Sequence, residues 1–168
     1  VEVEDFIIYG IHEKDIPPSD KVTLRIYAAT AFGSEHQTTK SCLRAISHLN
    51  RLGAAHRNIL DMGTGSGILA LAAAKLWPDA ARITAVDIDP EAVAVTRQNA
   101  RDNHLEKYLT VAVSNGYNSD LVRNNAPYDI IIANILARPL IEMAPQLNQA
   151  LAPGGFCILS GFVDDQED

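Results

Sequence analysis

Apolar and polar positions change their period several times along the chain. Phe6-Ile7-Ile8-Tyr9 is a short β-rich run, residues 15–20 with their two prolines form a loop, and Val22, Leu24 and Ile26 alternate with polar neighbours as in a half-buried strand. The spacing turns helical through Cys42, Leu43, Ile46 and Leu49, with Thr38 or Thr39 expected to cap the helix and Gly53 to end it. From Asn58 onward strands and helices alternate. Strands are predicted at 58–62, 82–87, 108–113, 128–133 and 156–160, and helices at 68–76, 90–103, briefly near Ser119, and 139–151. Asp89 caps the second of these helices, Pro90 sits in its first turn, and Pro153-Gly154-Gly155 reads as a turn.

Strand–helix alternation predicts an α/β, Rossmann-like fold: an open, mostly parallel sheet with helices on both faces, preceded by a short β-rich segment. The near-continuous apolar run 128–133 fits a strand covered on both sides. Residues 1–37 are read as an N-terminal β-rich linker segment and 38–168 as the core. The start at Val1 without Met, and the acidic end after a strand-like run, read as a piece trimmed at both ends.

The chain has 168 residues, 47% hydrophobic and 21% charged, with a formal net charge of -7. That size buries a sizeable core, and that charge disfavours binding to nucleic-acid phosphates and favours a basic partner. No apolar stretch is long enough to span a membrane, and no signal peptide opens the chain. Cys42 and Cys157 are read as free thiols and small core residues, and the histidines have no metal-type spacing.

Ligands of such sheets bind at the carboxyl ends of the strands, and the candidate residues fall there. Asp61-Met62-Gly63-Thr64-Gly65-Ser66-Gly67 joins the first core strand to its helix. Glycines let the backbone turn and approach a ligand closely. A dinucleotide fingerprint would need glycine at position 68, which is Ile68, so a nicotinamide dehydrogenase is disfavoured. Gly-x-Gly-x-Gly after an aspartate instead resembles the first motif of S-adenosylmethionine methyltransferases. Asp87, at the end of the second strand, can accept both ribose hydroxyl hydrogens, and Ile88 can pack on an adenine face. Asn115 is a candidate for the adenine edge, although many methyltransferases carry Gly-Asp there. Asn134, after the fourth strand, can hold an attacking amine by its N–H groups. Asn is no general base, so a base, if one acts, is solvent or His36.

Several stretches together resemble the ribosomal protein L11 methyltransferase family. They are Phe32-Gly33, His36, Thr38-Thr39 and Cys42-Leu43; residues 60–75 with Asp87-Ile88-Asp89-Pro90; Asn134-Ile135-Leu136 with Arg138-Pro139-Leu140; and Pro153-Gly154-Gly155 before Ser160-Gly161. The Asn-Ile-Leu form differs from the paired prolines that follow Asn or Asp in glutamine and adenine methyltransferases. The resemblance implies a cytoplasmic enzyme that uses S-adenosylmethionine to methylate lysine side chains and an N-terminal amine of one ribosomal protein. By position, Phe32, Thr38 and Thr39 would help close the site. Asp61, Gly63, Gly65, Gly67, Asp87, Ile88, Asn115 and Asn134 would hold the cofactor, and Asn134 and Leu136 would face the acceptor. Glu35 stands where glycine is common, in a loop one residue shorter than usual, and the family's N-terminal recognition domain and last strands are not in this chain. Two other readings are kept: a methyltransferase for a different protein or small-molecule acceptor, and a cofactor-binding module without activity.

Overall fold

The computed structural model describes residues 1–27, 36–53 and 56–161. Strands β1 (Glu2–Val3), β2 (Phe6–Gly10) and β3 (Val22–Ile26) form a small sheet, with β1 antiparallel and β3 parallel to β2. Helix α1 (Gln37–Arg51) follows. Then β4 (Asn58–Met62), α2 (Ile68–Leu76), β5 (Arg82–Asp87), α3 (Pro90–Asp102), β6 (Leu109–Val113), α4 (Asp120–Asn125), β7 (Tyr128–Asn134), α5 (Ala137–Ala150) and β8 (Leu151–Ser160) alternate. Their strands make one parallel five-stranded sheet in the order β6-β5-β4-β7-β8. The expected Rossmann-like architecture is the one found.

Period-2 alternation in strands buried on both faces explains the layers. Ile59, Ile83, Ala85, Ile130 and Ile132 point to one face, where α1, α2 and the small sheet share a single core through Cys42, Leu43, Leu71, Phe6, Ile8 and Leu24. Leu60, Met62, Val86, Ile131 and Ala133 point to the other, under Val122 of α4 and Leu140 and Leu147 of α5. Chain order reverses between β4 and β7, so the turn after β4 stands at the topological switch point.

Local differences from the sequence reading have clear causes. α1 begins at Gln37 and His36 caps it, its ring accepting from the Thr38 N–H; Thr38 and Thr39 lie inside the helix. α5 starts at Ala137, two residues before Pro139, because proline costs nothing in a first turn, where its missing N–H has no partner to lose. The turn 153–155 is an excursion within β8: Leu151 pairs with Tyr128, and pairing resumes between Ile130 and Phe156. Gly154 has φ +73°, and a Cβ on Gly155 would press on the Ala152 and Asp129 carbonyl oxygens. Cys42 is buried as expected, but Cys157 is exposed, because β8 lies at the end of the sheet order and Ile158 supplies its buried side chain. No described helix is long and apolar enough to cross a membrane.

Candidate active site

The strand register brings the carboxyl ends of β4, β5 and β7 to one rim: Met62 pairs with Val86 and Ala133, and Asp87 and Asn134 are the next residues on their strands. Of the residues expected here, Asp61, Gly63, Gly65, Gly67, Asp87 and Ile88 gather around the turn. Gly63 and Thr64 donate to the Val86 carbonyl, both at 2.9 Å, which folds the turn back on β5. Gly63, Gly65 and Gly67 have φ of +75°, +56° and +83°, a region that favours glycine.

The three glycines do different work. A Cβ on Gly63 would overlap Ile135 Cγ2, and one on Gly67 would lie 2.8 Å from Thr96 Cγ2, so both are packing positions. A Cβ on Gly65 would meet nothing within 4 Å. Gly65 therefore leaves open space beside the turn where a ligand can approach the backbone.

Asp87 is half-buried. Its Oδ2 accepts from the Gly65 N–H at 2.9 Å and its Oδ1 from the Asp89 N–H at 3.0 Å. These bonds fix the carboxylate while each oxygen keeps a lone pair for a further donor. Asp61 sits beneath the turn with 1% exposure, and its Oδ2 accepts from the Thr64 hydroxyl at 2.8 Å. Burial pushes its carboxyl up to about 7; the Thr64 hydroxyl opposes that rise and the Asp87 charge adds to it. The folded protein thus holds a proton there that the unfolded chain, near the ordinary value of 3.8, releases earlier. Stability from this group is present below about 4 and declines as pH rises to about 7. Relative to Asp61→Asn, which keeps an acceptor for Thr64, the native protein is expected to lose roughly 2–4 kcal/mol over that range, measured by urea unfolding at several pH values.

At the β7 end, the Asn134 Nδ2 lies 3.4 Å from the Thr39 Oγ1, a donation that leaves its Oδ1 free to accept from an incoming group. Thr39 is buried, Thr38 half-buried, and Leu136, at the start of α5, is 55% exposed. His36 has its Nδ1 2.7 Å from the Thr38 hydroxyl and accepts the Thr38 N–H there, which puts a neutral ring's proton on Nε2. This capping role argues against His36 as the general base considered above. Asn115 is exposed after β6, its carbonyl accepting from Asn118. Phe32 lies outside the described residues.

Sequence reasoning missed the residues that hold the turn from behind. The Thr96 hydroxyl donates to the Gly65 carbonyl at 2.9 Å, and the Asn99 carboxamide to the Ser66 carbonyl at 2.7 Å. Their signal was present: Thr96, Asn99 and Asn103 continue the buried stripe of α3 with Val93 and Ala100, and polar residues in such a stripe need internal partners. A surface cavity of about 450 Å³ lined by His56, Arg57, Leu76, Trp77 and Asp79 lies at the opposite, amino end of the strands.

The family model described as ribosomal protein L11 methyltransferase (PrmA) matches residues 2–168 of this chain. Proteins named ribosomal protein L11 methyltransferase from Agrobacterium fabrum and Brucella suis are 46% identical over 96% of this chain and 43% identical over all of it. The chain spans 54% and 58% of their lengths, respectively. A crystal structure of a ribosomal protein L11 methylase from Lactobacillus delbrueckii superposes with a TM-score of 0.74 at 33% identity, covering 94% of this chain and 77% of that one. A Salinibacter ruber RNA methyltransferase in complex with S-adenosyl-L-homocysteine shares the fold, with a TM-score of 0.57 at 20% identity over 68% of this chain and 72% of that one. The fold is that of the Rossmann-like S-adenosylmethionine-dependent methyltransferases, and the chain belongs to the ribosomal protein L11 methyltransferase family.

Proposed function

We propose that this chain forms the cofactor-binding and catalytic core of an S-adenosylmethionine-dependent methyltransferase whose acceptors are amines of ribosomal protein L11: lysine side chains and the N-terminal amine. The observation that carries the reading is the pairing of Asp87 with Gly65. A carboxylate fixed by two backbone N–H groups keeps a lone pair on each oxygen, beside a glycine with open space around it. That pair of acceptor oxygens fits a ribose diol next to a methionine-bearing chain. Gly63, Gly65 and Gly67 shape the turn, Asp61 fixes Thr64 from below, and Ile88 and Asn115 flank the adenine end. Cytoplasmic location follows from the substrate.

When bound, the cofactor supplies an electrophilic sulfonium methyl group and its own leaving group. The chain's residues position the acceptor and exclude water. An attacking amine must be neutral, whereas lysine is ordinarily protonated below about 10.4. Asn134 Oδ1 accepts an N–H of the amine and aims its lone pair, with Thr39 holding the carboxamide in the required orientation. Leu136 supplies apolar surface that disfavours the ammonium form by desolvation. The displaced proton leaves to solvent.

The test separates acceptor chemistry from cofactor binding. Purified L11 incubated with S-adenosylmethionine and the protein is expected to gain mass in steps of one methylene. Asn134→Ala is expected to slow that gain by about 100-fold while S-adenosylhomocysteine binding changes by less than about tenfold. Methyl transfer by Asn134→Ala at the native rate would remove Asn134 from the acceptor site. A native enzyme that methylates another protein and leaves L11 unmodified would redirect the reading to that acceptor.

A further inference from the structure

The small sheet and the cofactor turn are joined through one helix, by a pattern that the catalytic reading does not use. β3 is an edge strand of its sheet, paired with β2 on one side only. On its other side, both backbone groups of Arg25, and both of Tyr27 just past the end of the strand, are taken by asparagine side chains of α3 and its C-cap. The Arg25 N–H donates to Asn103 Oδ1 at 2.9 Å, and Asn103 Nδ2 donates to the Arg25 carbonyl at 2.6 Å. The Tyr27 N–H donates to Asn99 Oδ1 at 2.8 Å, and Asn99 Nδ2 donates to the Tyr27 carbonyl at 2.9 Å. The spacing makes this possible: four helical residues rise about 6 Å, close to the roughly 6.6 Å between alternate strand residues on one edge. Two carboxamides one turn apart therefore stand in for the next strand.

Only one of the two reaches the turn. Asn99, fully buried, also donates to the Ser66 carbonyl at 2.7 Å, and one turn earlier the Thr96 hydroxyl donates to the Gly65 carbonyl. Asn103 makes its additional bond to the Asn99 carbonyl, within the helix. A trans peptide is planar with its C=O and N–H opposed, so holding the Gly65 and Ser66 carbonyls toward α3 sets the directions of the Ser66 and Gly67 N–H groups. The Gly67 N–H closes the turn onto the Thr64 carbonyl at 2.8 Å, and because the Gly65 carbonyl faces Thr96, planarity directs the Ser66 N–H away from α3.

We propose that Asn99 is a positioning residue for the cofactor turn, coupling the edge of the β1-β2-β3 sheet at Tyr27 to the Ser66 peptide, so that displacement of one displaces the other. Asn103 docks the same strand without touching the turn. Thr96 braces the turn without touching the strand. As a statement about cofactor binding, the inference rests on the function proposed above; as a statement about coupling, it does not.

The experiment compares Asn99→Ala, Asn103→Ala and Thr96→Val by hydrogen exchange of the ligand-free protein and by calorimetry with S-adenosylhomocysteine. In Asn99→Ala, exchange is expected to rise at both Tyr27 and Gly65–Gly67, and affinity to fall by roughly tenfold. In Asn103→Ala, exchange is expected to rise near Arg25 only, with affinity within about twofold of native even where its melting temperature falls as far as that of Asn99→Ala. Thr96→Val is expected to loosen the turn and leave Tyr27 protected. Should Asn99→Ala fold poorly, Asn99→Asp keeps the acceptor for the Tyr27 N–H, loses both donations, and carries the same expectation. Unchanged exchange at Gly65–Gly67 in Asn99 variants, or equal loss of affinity in Asn103→Ala, would overturn the proposal. If the native protein failed to bind S-adenosylhomocysteine, the cofactor reading would fall, and the exchange comparison would still decide the coupling.

Discussion

Asp87→Ala is expected to weaken S-adenosylhomocysteine binding by at least about 100-fold while the protein stays folded. The two oxygens of Asp87 are held at 2.9 Å and 3.0 Å by the Gly65 and Asp89 N–H groups, so the carboxylate is presented to a ligand already ordered. Two hydroxyl donors on a charged acceptor contribute about 1.5–3 kcal/mol each, and their joint loss corresponds to between two and four orders of magnitude in affinity. The cost to folding is smaller. Asp87 is only half-buried, and solvent can partly satisfy the two N–H groups that lose their acceptor, leaving about 1–2 kcal/mol. Calorimetry and thermal melting on the same samples check both numbers. Asp87→Asn should fall between, since a carboxamide offers one acceptor oxygen and no charge. Equal binding by native protein and Asp87→Ala would dissociate this residue from the cofactor.

Gly63→Ala is expected to have the opposite signature, a large loss of stability. The residue lies at φ +75°, which costs an L side chain about 1–2 kcal/mol. Its new Cβ would also overlap Ile135 Cγ2, a methyl on a branched, stiff side chain that cannot swing aside like the end of a lysine. Overpacking of this kind costs about 1–3 kcal/mol, giving about 2–5 kcal/mol in all and roughly 4–20 °C in Tm for a domain of this size. Ile135 is the residue between Asn134 and Leu136, and its N–H donates to the Ser160 carbonyl at 3.1 Å, so pressure on it is transmitted to the carboxyl end of β7. In an Ile135→Ala background the same glycine substitution should cost at least about 1 kcal/mol less, a coupling read from a double-mutant cycle in urea. Strict additivity would show that the two residues do not meet.

Much of this site was legible in the amino-acid sequence, for reasons that differ by residue. Glycine spacing identified the turn because the choice between Gly67 and Ile68 as the third position is a discrete fact of composition. Asp87 and Asn134 were legible because parallel strands buried on both faces read as apolar runs, and a polar residue at the end of such a run marks the carboxyl rim. The helix cap was misplaced because His36 can accept a backbone N–H at Nδ1, a role that a search for Ser, Thr, Asp or Asn passes over. Cys157 was misjudged because composition does not say which strand lies at the end of the sheet order. Thr96, Asn99 and Asn103 were passed over although they continue the stripe of Val93 and Ala100, because threonine and asparagine on a helix ordinarily read as solvent-facing. Only the tertiary packing of α3 against β3 and the turn makes them internal donors.

Where S-adenosylhomocysteine binds decides whether the carboxyl rim of the sheet is the cofactor site. In a titration of the isotope-labelled protein with S-adenosylhomocysteine, followed by amide chemical shifts, the largest changes are expected at Gly63, Gly65, Ser66, Asp87 and Ile88, with smaller ones at Asn115 and Asn134. Changes confined to the opposite end of the sheet, around His56, Trp77 and Asp79, would contradict the account.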